Sequence, residues 1–229
     1  MAGCQFRKGE NNILSFIFIK KYDIIYIEKI KKGIFMHAEL KKIAPIHNGK
    51  FINYYNFLLD DGRAYEVVSR KNLSIEDVKS IYKKGFDTAD AVDIIAFNED
   101  YSKILVIKEW RVPANDYVYA FPAGLVEPNE EILHTASREL FEETGLKIID
   151  ILDILTPSYQ SVGMTDEAVA TIICRASGEL TNKNNTLSED IIPMWITKEE
   201  AKNIINKSIS CRCQIMLAAW ALNSFSSYK

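Results

Sequence analysis

Little in this sequence suggests a chain held by cross-links or anchored in a bilayer. It has only four cysteines, Cys4, Cys174, Cys211 and Cys213, too few and too unevenly spaced for a disulfide framework. Cys211 and Cys213 form a CxC pair with no CxxC elsewhere to complete a metal site, so buried or half-buried thiols in a reducing cytoplasm are the simpler reading. Long apolar runs are missing too. The longest early one, Ile13 to Ile19, is interrupted by Ser15 and followed by Lys20 and Lys21. That is far short of the ~20 residues of a spanning helix, and the flanking lysines do not resemble a cleavage site. There is no surplus of positive charge: 28 Lys and Arg stand against 31 Asp and Glu, for a net charge of -3. Neither nucleic acid nor a membrane is therefore expected as a partner. The three histidines, His37, His47 and His134, show no ligand spacing and read as structural or exposed. No repeat and no low-complexity linker is visible.

What is present is an ordinary globular composition, 48% hydrophobic and 26% charged, patterned mostly as strands. Residues 51–59 and 63–70 read as strands joined by Asp60-Asp61-Gly62, where Asp-Gly signals a hairpin. Ser74 to Lys84 opens Ser-x-x-Asp and reads as a short helix. Residues 91–97 and 103–108 are dense in Ile and Val, as strands buried on both faces are. A strand at 117–121, a helix at 131–144 stopped by Gly145, strands at 149–155, 168–176 and 191–196, and helices at 198–206 and 214–225 complete the series. Strands mixed with few helices point to a sheet covered by helices.

The chemistry concentrates in residues 124–146, GLVEPNEEILHTASRELFEETGL. Glu139, Glu142 and Glu143 fall at i, i+3 and i+4, which gathers three carboxylates on one helix face. Crowded like charges repel, and a purely structural helix gains nothing from them, whereas hard oxygen donors suit Mg²⁺. Leu133, Ala136 and Leu140 fall on a neighbouring face that can pack on the sheet. Arg138 lies beside the acids and can hold a carboxylate through its planar fork. A solvated acidic face would account for the acids alone, but not for Gly124, Glu130 and Arg138 at their spacings.

The segment matches the Nudix box, GX5EX7REUXEEXGU with U aliphatic, at every fixed position, and the sequence resembles the Nudix hydrolase family. The resemblance implies an α/β fold, an α/β/α sandwich around a mixed sheet, with a small N-terminal antiparallel β subdomain. It implies hydrolysis of a nucleoside diphosphate linked to another moiety, using Mg²⁺, with Mn²⁺ as the alternative. By the same resemblance Glu139, Glu142, Glu143 and the carbonyl of Ala123 are metal ligands, while Glu130 and Arg138 orient loop and helix.

The flanks resemble the ADP-ribose pyrophosphatase branch. Glu109-Trp110-Arg111 precedes Phe121-Pro122-Ala123-Gly124-Leu125, and the branch implies that Arg111 reaches the substrate phosphates. Tyr65-Glu66-Val67-Val68-Ser69-Arg70 resembles its N-terminal sheet, implying that Tyr65 stacks on the base, Glu66 sits by the base and Arg70 supports the phosphates or ribose. Residues Gly163 to Glu167 resemble the loop after the box, although Val162-Gly163 stands where the branch has Pro-Gly. Ser188-Glu189-Asp190-Ile191 resembles an acidic loop, which leaves Glu189 as metal ligand, general base or both, with Glu167 as its competitor for the base. Leu187 stands where some relatives carry another acid.

The expected reaction is hydrolysis of ADP-ribose, or a related ADP-sugar, to AMP and ribose 5-phosphate by a cytoplasmic homodimer. The alternatives are another nucleotide sugar or a dinucleotide as substrate, or a non-catalytic nucleotide-binding module. The last sits poorly with a box that has lost no acid. Three segments are expected: residues 1–35 as a dispensable or non-native extension, 36–88 as the β subdomain, and 89–229 as the hydrolase domain. The first is Ile/Lys-rich and outside the resemblance, and Lys31-Lys32-Gly33 precedes Met36 as a ribosome-binding site would if translated.

Overall fold

The computed structural model describes residues 38–78, 89–183 and 190–222. The described residues from Leu40 to Leu222 belong to one compact unit. Its backbone of strength is a pair of apolar strands, β4 (Ala91–Phe97) and β5 (Lys103–Arg111). Val92, Ile94, Ile104, Leu105 and Val106 are all fully buried. Each such side chain contributes roughly 1.5–3 kcal/mol on leaving water, so these two strands anchor the sheet.

A small antiparallel sheet comes first, in the order β1 (Leu40–Asn48), β2 (Asn53–Leu59), β3 (Ala64–Ser69). The expected hairpin at Asp60-Asp61-Gly62 joins β2 to β3: Leu59 N–H donates to Arg63 O at 2.9 Å, and Gly62 sits at φ 87°, a conformation that glycine adopts without penalty. Residues 75–78 are helical and are opened by Ser74 and Asp77, whose side chains bond each other's backbone N–H groups. The remainder of that expected helix lies outside the described residues.

The main sheet has seven strands. The order β10 (Ile191–Thr197), β5, β4, β9 (Ala168–Ser177), β8 (Lys147–Tyr159) forms its spine, β6 (Asp116–Ala120) pairs β5, and β7 (Ala123–Leu125) pairs β4. β4 runs parallel to β9, while β5 lies antiparallel to β10 and β8 to β9, so the sheet is mixed. Alternation along β4 sends successive residues to opposite faces. Val92, Ile94 and Ala96 join a core with Ala136 and Leu140 of α1 (Ile132–Thr144). Ile95 joins a second core with residues of α2 (Lys198–Ile204) and α3 (Cys211–Leu222). Helices thus cover both faces, as the α/β/α reading requires.

Several boundaries differ from the sequence reading, for physical reasons. β8 spans 13 residues rather than seven. It carries Pro157 because it is an edge strand and its register slips between Leu155 and Ser158, where a missing N–H costs no ladder bond. α1 begins at Ile132, with Glu131 as its extended cap, and ends where Gly145 turns to φ 76°. Leu133 is exposed rather than packed on the sheet. It lies in the first turn, beside the exposed stretch 127–129, and the buried line of the helix runs through Thr135, Ala136, Leu140, Glu143 and Thr144. α2 carries a capping box, Thr197 with Glu200, and α3 starts three residues earlier than its apolar spacing suggested. No helix among the described residues is long and apolar enough to cross a membrane.

Candidate active site

The site grows from the contact of β7 with α1. β7 is only three residues long, and its Val92↔Gly124 and Asp93↔Ala123 pairs set it beside β4. Gly124 faces Glu139: a Cβ built there would lie 1.9 Å from the Glu139 carboxyl carbon. The glycine therefore clears the space that the carboxylate occupies. One helical turn on, Glu143 is buried, and its Oε2 accepts from the backbone N–H of Ala123 at 3.3 Å.

Arg138 organises the remaining acids. Its Nε donates to Glu130 Oε1 at 3.0 Å and Nη2 to Glu130 Oε2 at 2.9 Å, while Nη1 reaches Glu139 at 2.8 Å and Glu142 at 3.2 Å. Nη2 also donates to the Leu125 carbonyl at 3.2 Å, which ties the helix back to β7. The Arg138 guanidinium holds the Glu130 carboxyl well below the usual carboxylate range, and Glu130 in turn raises Arg138. Exposure is graded along the cluster: Glu142 is nearly half exposed at its side chain, Glu139 largely covered, and Glu143 almost fully buried.

The donor set is chemically suited to a hard divalent cation, since carboxylate and carbonyl oxygens are what Mg²⁺ and Mn²⁺ take. Gly124 supplies the room such a cluster needs. Among the described residues, no three His, Cys, Asp or Glu side chains are already drawn together as a closed ligand set; Glu139 and Glu142 lean on Arg138, and Glu143 on Ala123.

The flanking residues divide into groups. Arg70 Nε pairs with Glu167 Oε1 at 2.6 Å, so the structure brings these two together. Tyr65 donates its hydroxyl to the Gly163 carbonyl at 3.0 Å and is about half exposed. Glu66 alternates to the opposite face of β3, where Tyr54 hydrogen-bonds it and is raised by it. Tyr65 and Glu66 of one chain are thus not on the same side of the strand. Arg111 extends from the end of β5, largely exposed, and pairs with Glu109 at 2.7 Å. Glu189 lies outside the described residues, as do residues 1–37.

Three contacts have no counterpart in the sequence reading. His134 Nδ1 lies 2.7 Å from Glu130 Oε1; its i, i+4 spacing was the available signal. The Tyr117 hydroxyl donates to the Asp190 carboxylate, which raises Tyr117. Asp93, buried in the apolar run of β4, pairs with Arg212 at 2.7 Å. Burial pushes the Asp93 carboxyl up, and Arg212 opposes the shift. A lone acid inside AVDIIAF was the clue, but nothing local indicated its partner.

Residues 87–211 match the family model described as NUDIX domain. Over 116 residues, half of this chain, the sequence is 32% identical to the "ADP-ribose pyrophosphatase" of Bacillus subtilis (strain 168), covering 62% of that protein. It is 32% identical to the "ADP-sugar pyrophosphatase" of Mus musculus over 105 residues, 44% of this chain and 45% of that one. It is also 32% identical to the "ADP compounds hydrolase NudE" of Escherichia coli (strain K12) over 92 residues, 38% and 48%. The matched stretches span about half to three-fifths of these curated relatives' lengths.

Proposed function

The chain belongs to the Nudix family, and on that premise we propose that it hydrolyses the diphosphate of ADP-ribose to AMP and ribose 5-phosphate, or that of a related ADP-sugar to AMP and the corresponding sugar phosphate. The observation that carries this reading is the joint placement of Gly124, Glu130, Arg138, Glu139, Glu142 and Glu143, with one arginine holding three carboxylates. The relatives named for ADP-ribose and ADP-sugars support the substrate class.

In this reading water attacks one phosphorus of the diphosphate and the bridging P–O bond breaks. One proton of the water passes to a general base, the other leaves the product phosphate to solvent, and the bridging oxygen departs on the other phosphate. Glu139, Glu142, Glu143 and the Ala123 carbonyl would hold Mg²⁺, or Mn²⁺ in its place, which supplies charge neutralisation at the phosphates and a more acidic bound water. Arg138 and Glu130 keep the carboxylates aimed, so that little reorganisation is needed when phosphate charge develops. Arg111 and Arg70 are the proposed phosphate contacts; Glu66, on the opposite face of β3 from Tyr65 and bonded by Tyr54, is left out of the base site. Tyr65 offers a half-exposed ring for stacking, worth roughly 1–3 kcal/mol per base in single-stranded nucleic acid binding. Glu189 is the proposed further ligand or base, with Glu167 as its competitor. We propose a cytoplasmic homodimer as the working state.

The test is a substrate panel of ADP-ribose, ADP-glucose, GDP-mannose, NADH and a diadenosine polyphosphate, assayed with Mg²⁺ and with excess EDTA. Glu143→Gln serves as the inactive control. Preference for ADP-ribose, lost with EDTA, is the expected result. Turnover that favours GDP-mannose or the dinucleotide would transfer the assignment to that substrate, and turnover indifferent to EDTA would overturn the metal-dependent reading.

A further inference from the structure

We propose that Arg212, on the helix-covered face opposite α1, is a positioning residue that sets the docking of the N-terminal sheet through the neck of the loop 160–167. Its role in turnover rests on the substrate reading above; its structural role does not.

Arg212 is delivered to its place by backbone contacts. Tyr119 N–H donates to Ser208 O at 2.9 Å and Ser210 N–H to Tyr119 O at 2.8 Å, which fixes the entry to α3 against β6. From the first turn of α3 the guanidinium reaches three elements at once. Nε meets Asp93 of β4 at 2.7 Å, Nη1 donates to Thr171 of β9 at 2.9 Å, and Nη2 donates to Gln160, just past β8, at 3.2 Å. A planar fork with fixed donor directions holds such an arrangement rigidly, which a flexible ammonium cannot. Asp93 and Thr171 are buried, so the pair has a defined geometry rather than a solvated one.

Gln160 is where this grip becomes consequential. Its backbone N–H donates to Glu167 O at 3.0 Å, closing the neck of the loop. The loop in turn docks β3: Val68 N–H donates to Met164 O at 2.9 Å, Tyr65 Oη to Gly163 O at 3.0 Å, and Arg70 pairs with Glu167 at 2.6 Å. Val68 and Thr165 pair as an isolated parallel bridge. The residues proposed to meet base and phosphate thus rest on a loop whose neck is held from the C-terminal helix. A loop held at its neck transmits a shift there to everything docked along it.

The sharpest variant is Gln160→Ala, which removes the loop arm and leaves Asp93 and Arg212 paired. Full-length protein is compared by amide hydrogen exchange, melting temperature and ADP-ribose kinetics. Exchange should rise at least fivefold in residues 64–70 and 161–167 and stay unchanged in α1, with the melting temperature within about 3 °C of wild type. KM should rise about tenfold, because the ring of Tyr65 and the guanidinium of Arg70 meet the substrate from the docked strand. Gln160→Glu keeps the acceptor oxygen and should restore both readouts. Unchanged exchange at 64–70, or an increase spread evenly over the whole chain, overturns the proposal. A wild-type chain inert toward ADP-ribose would overturn the substrate reading, and the exchange measurement would still decide the role of Arg212.

Discussion

Arg138 grips Glu130 with two parallel bonds, Nε to Oε1 at 3.0 Å and Nη2 to Oε2 at 2.9 Å, and its third nitrogen is shared between Glu139 and Glu142. One side chain therefore fixes the loop before the helix and aims two acids on it. Arg138→Lys keeps the charge but cannot span all three carboxylates. Turnover should fall roughly 10–100-fold, the usual cost of losing a residue that orients ligands, while the circular dichroism spectrum stays that of the wild type. Turnover within twofold of wild type would show that the fork is dispensable.

The same pair sets an acid dependence. Arg138 holds Glu130 below the usual carboxylate range in the folded chain, whereas the unfolded chain takes up that proton near pH ~4.3. As pH falls through that value the unfolded state binds more protons than the folded one, so the Glu130 contribution is lost on acidification. Asp61, Asp77, Asp100 and Glu200 are also lowered and give a shared background, so the informative quantity is the difference between wild type and Glu130→Gln. Urea midpoints should differ most near pH 7 and converge toward pH 3. Parallel curves across that range would contradict the assignment.

Gly124 separates function from folding. An added Cβ meets the far end of the flexible Glu139 side chain, with the carboxyl carbon 1.9 Å away, so Gly124→Ala should expel that carboxylate while the backbone stays in place. The melting temperature should change by no more than about 3 °C, with a loss of roughly tenfold or more in turnover. A collapse in stability with turnover per folded molecule intact would place the requirement in packing instead.

How much of this was legible beforehand varied with range. The box helix, its glycine stop and the apolar strands β4 and β5 were readable, because each is written in local periodicity and local turn chemistry. The Glu130–Arg138 pair was inferable only through the resemblance, since half of it lies in a loop. Extra length in β8 was hidden by Asp150, Asp153 and Pro157, residues that an edge strand accommodates and an interior strand does not. The buried Asp93–Arg212 pair was not readable at all: a single sequence shows a lone acid in an apolar run but carries no sign of its distant partner. Placing Tyr65 and Glu66 together on one base overlooked strand alternation, which the sequence itself displays.

Tyr65 offers a test of the substrate side. Its hydroxyl is committed to Gly163 O, while about half of the residue remains open. Tyr65→Phe should raise KM for ADP-ribose slightly, by losing the loop contact, and Tyr65→Ala should raise it about tenfold by losing the ring as well. In both, kcat should stay within about threefold, since stacking far from phosphorus stabilises ground and transition states alike. A loss confined to kcat would remove Tyr65 from base binding.

The thiols test the packing of both cores, Cys174 lying in the first and Cys213 in the second. Burial pushes Cys174 and Cys213 up to about 12, the nearby Asp93 charge adding to the effect at Cys213, while Cys211 is exposed. Two residues apart on a helix, Cys211 and Cys213 point to different sides, so the CxC pair is not a joint ligand set. A thiolate is the reactive form, and at pH 8 the two buried groups are almost entirely protonated as well as out of reach. Iodoacetamide labelling of native protein followed by peptide mapping should find Cys211 modified within minutes, and Cys174 and Cys213 only after denaturant is added. Equal labelling of Cys211 and Cys213 in the native state would mean that α3 leaves the sheet readily. The three-way grip of Arg212, which sits between those cysteines, would then have to be abandoned.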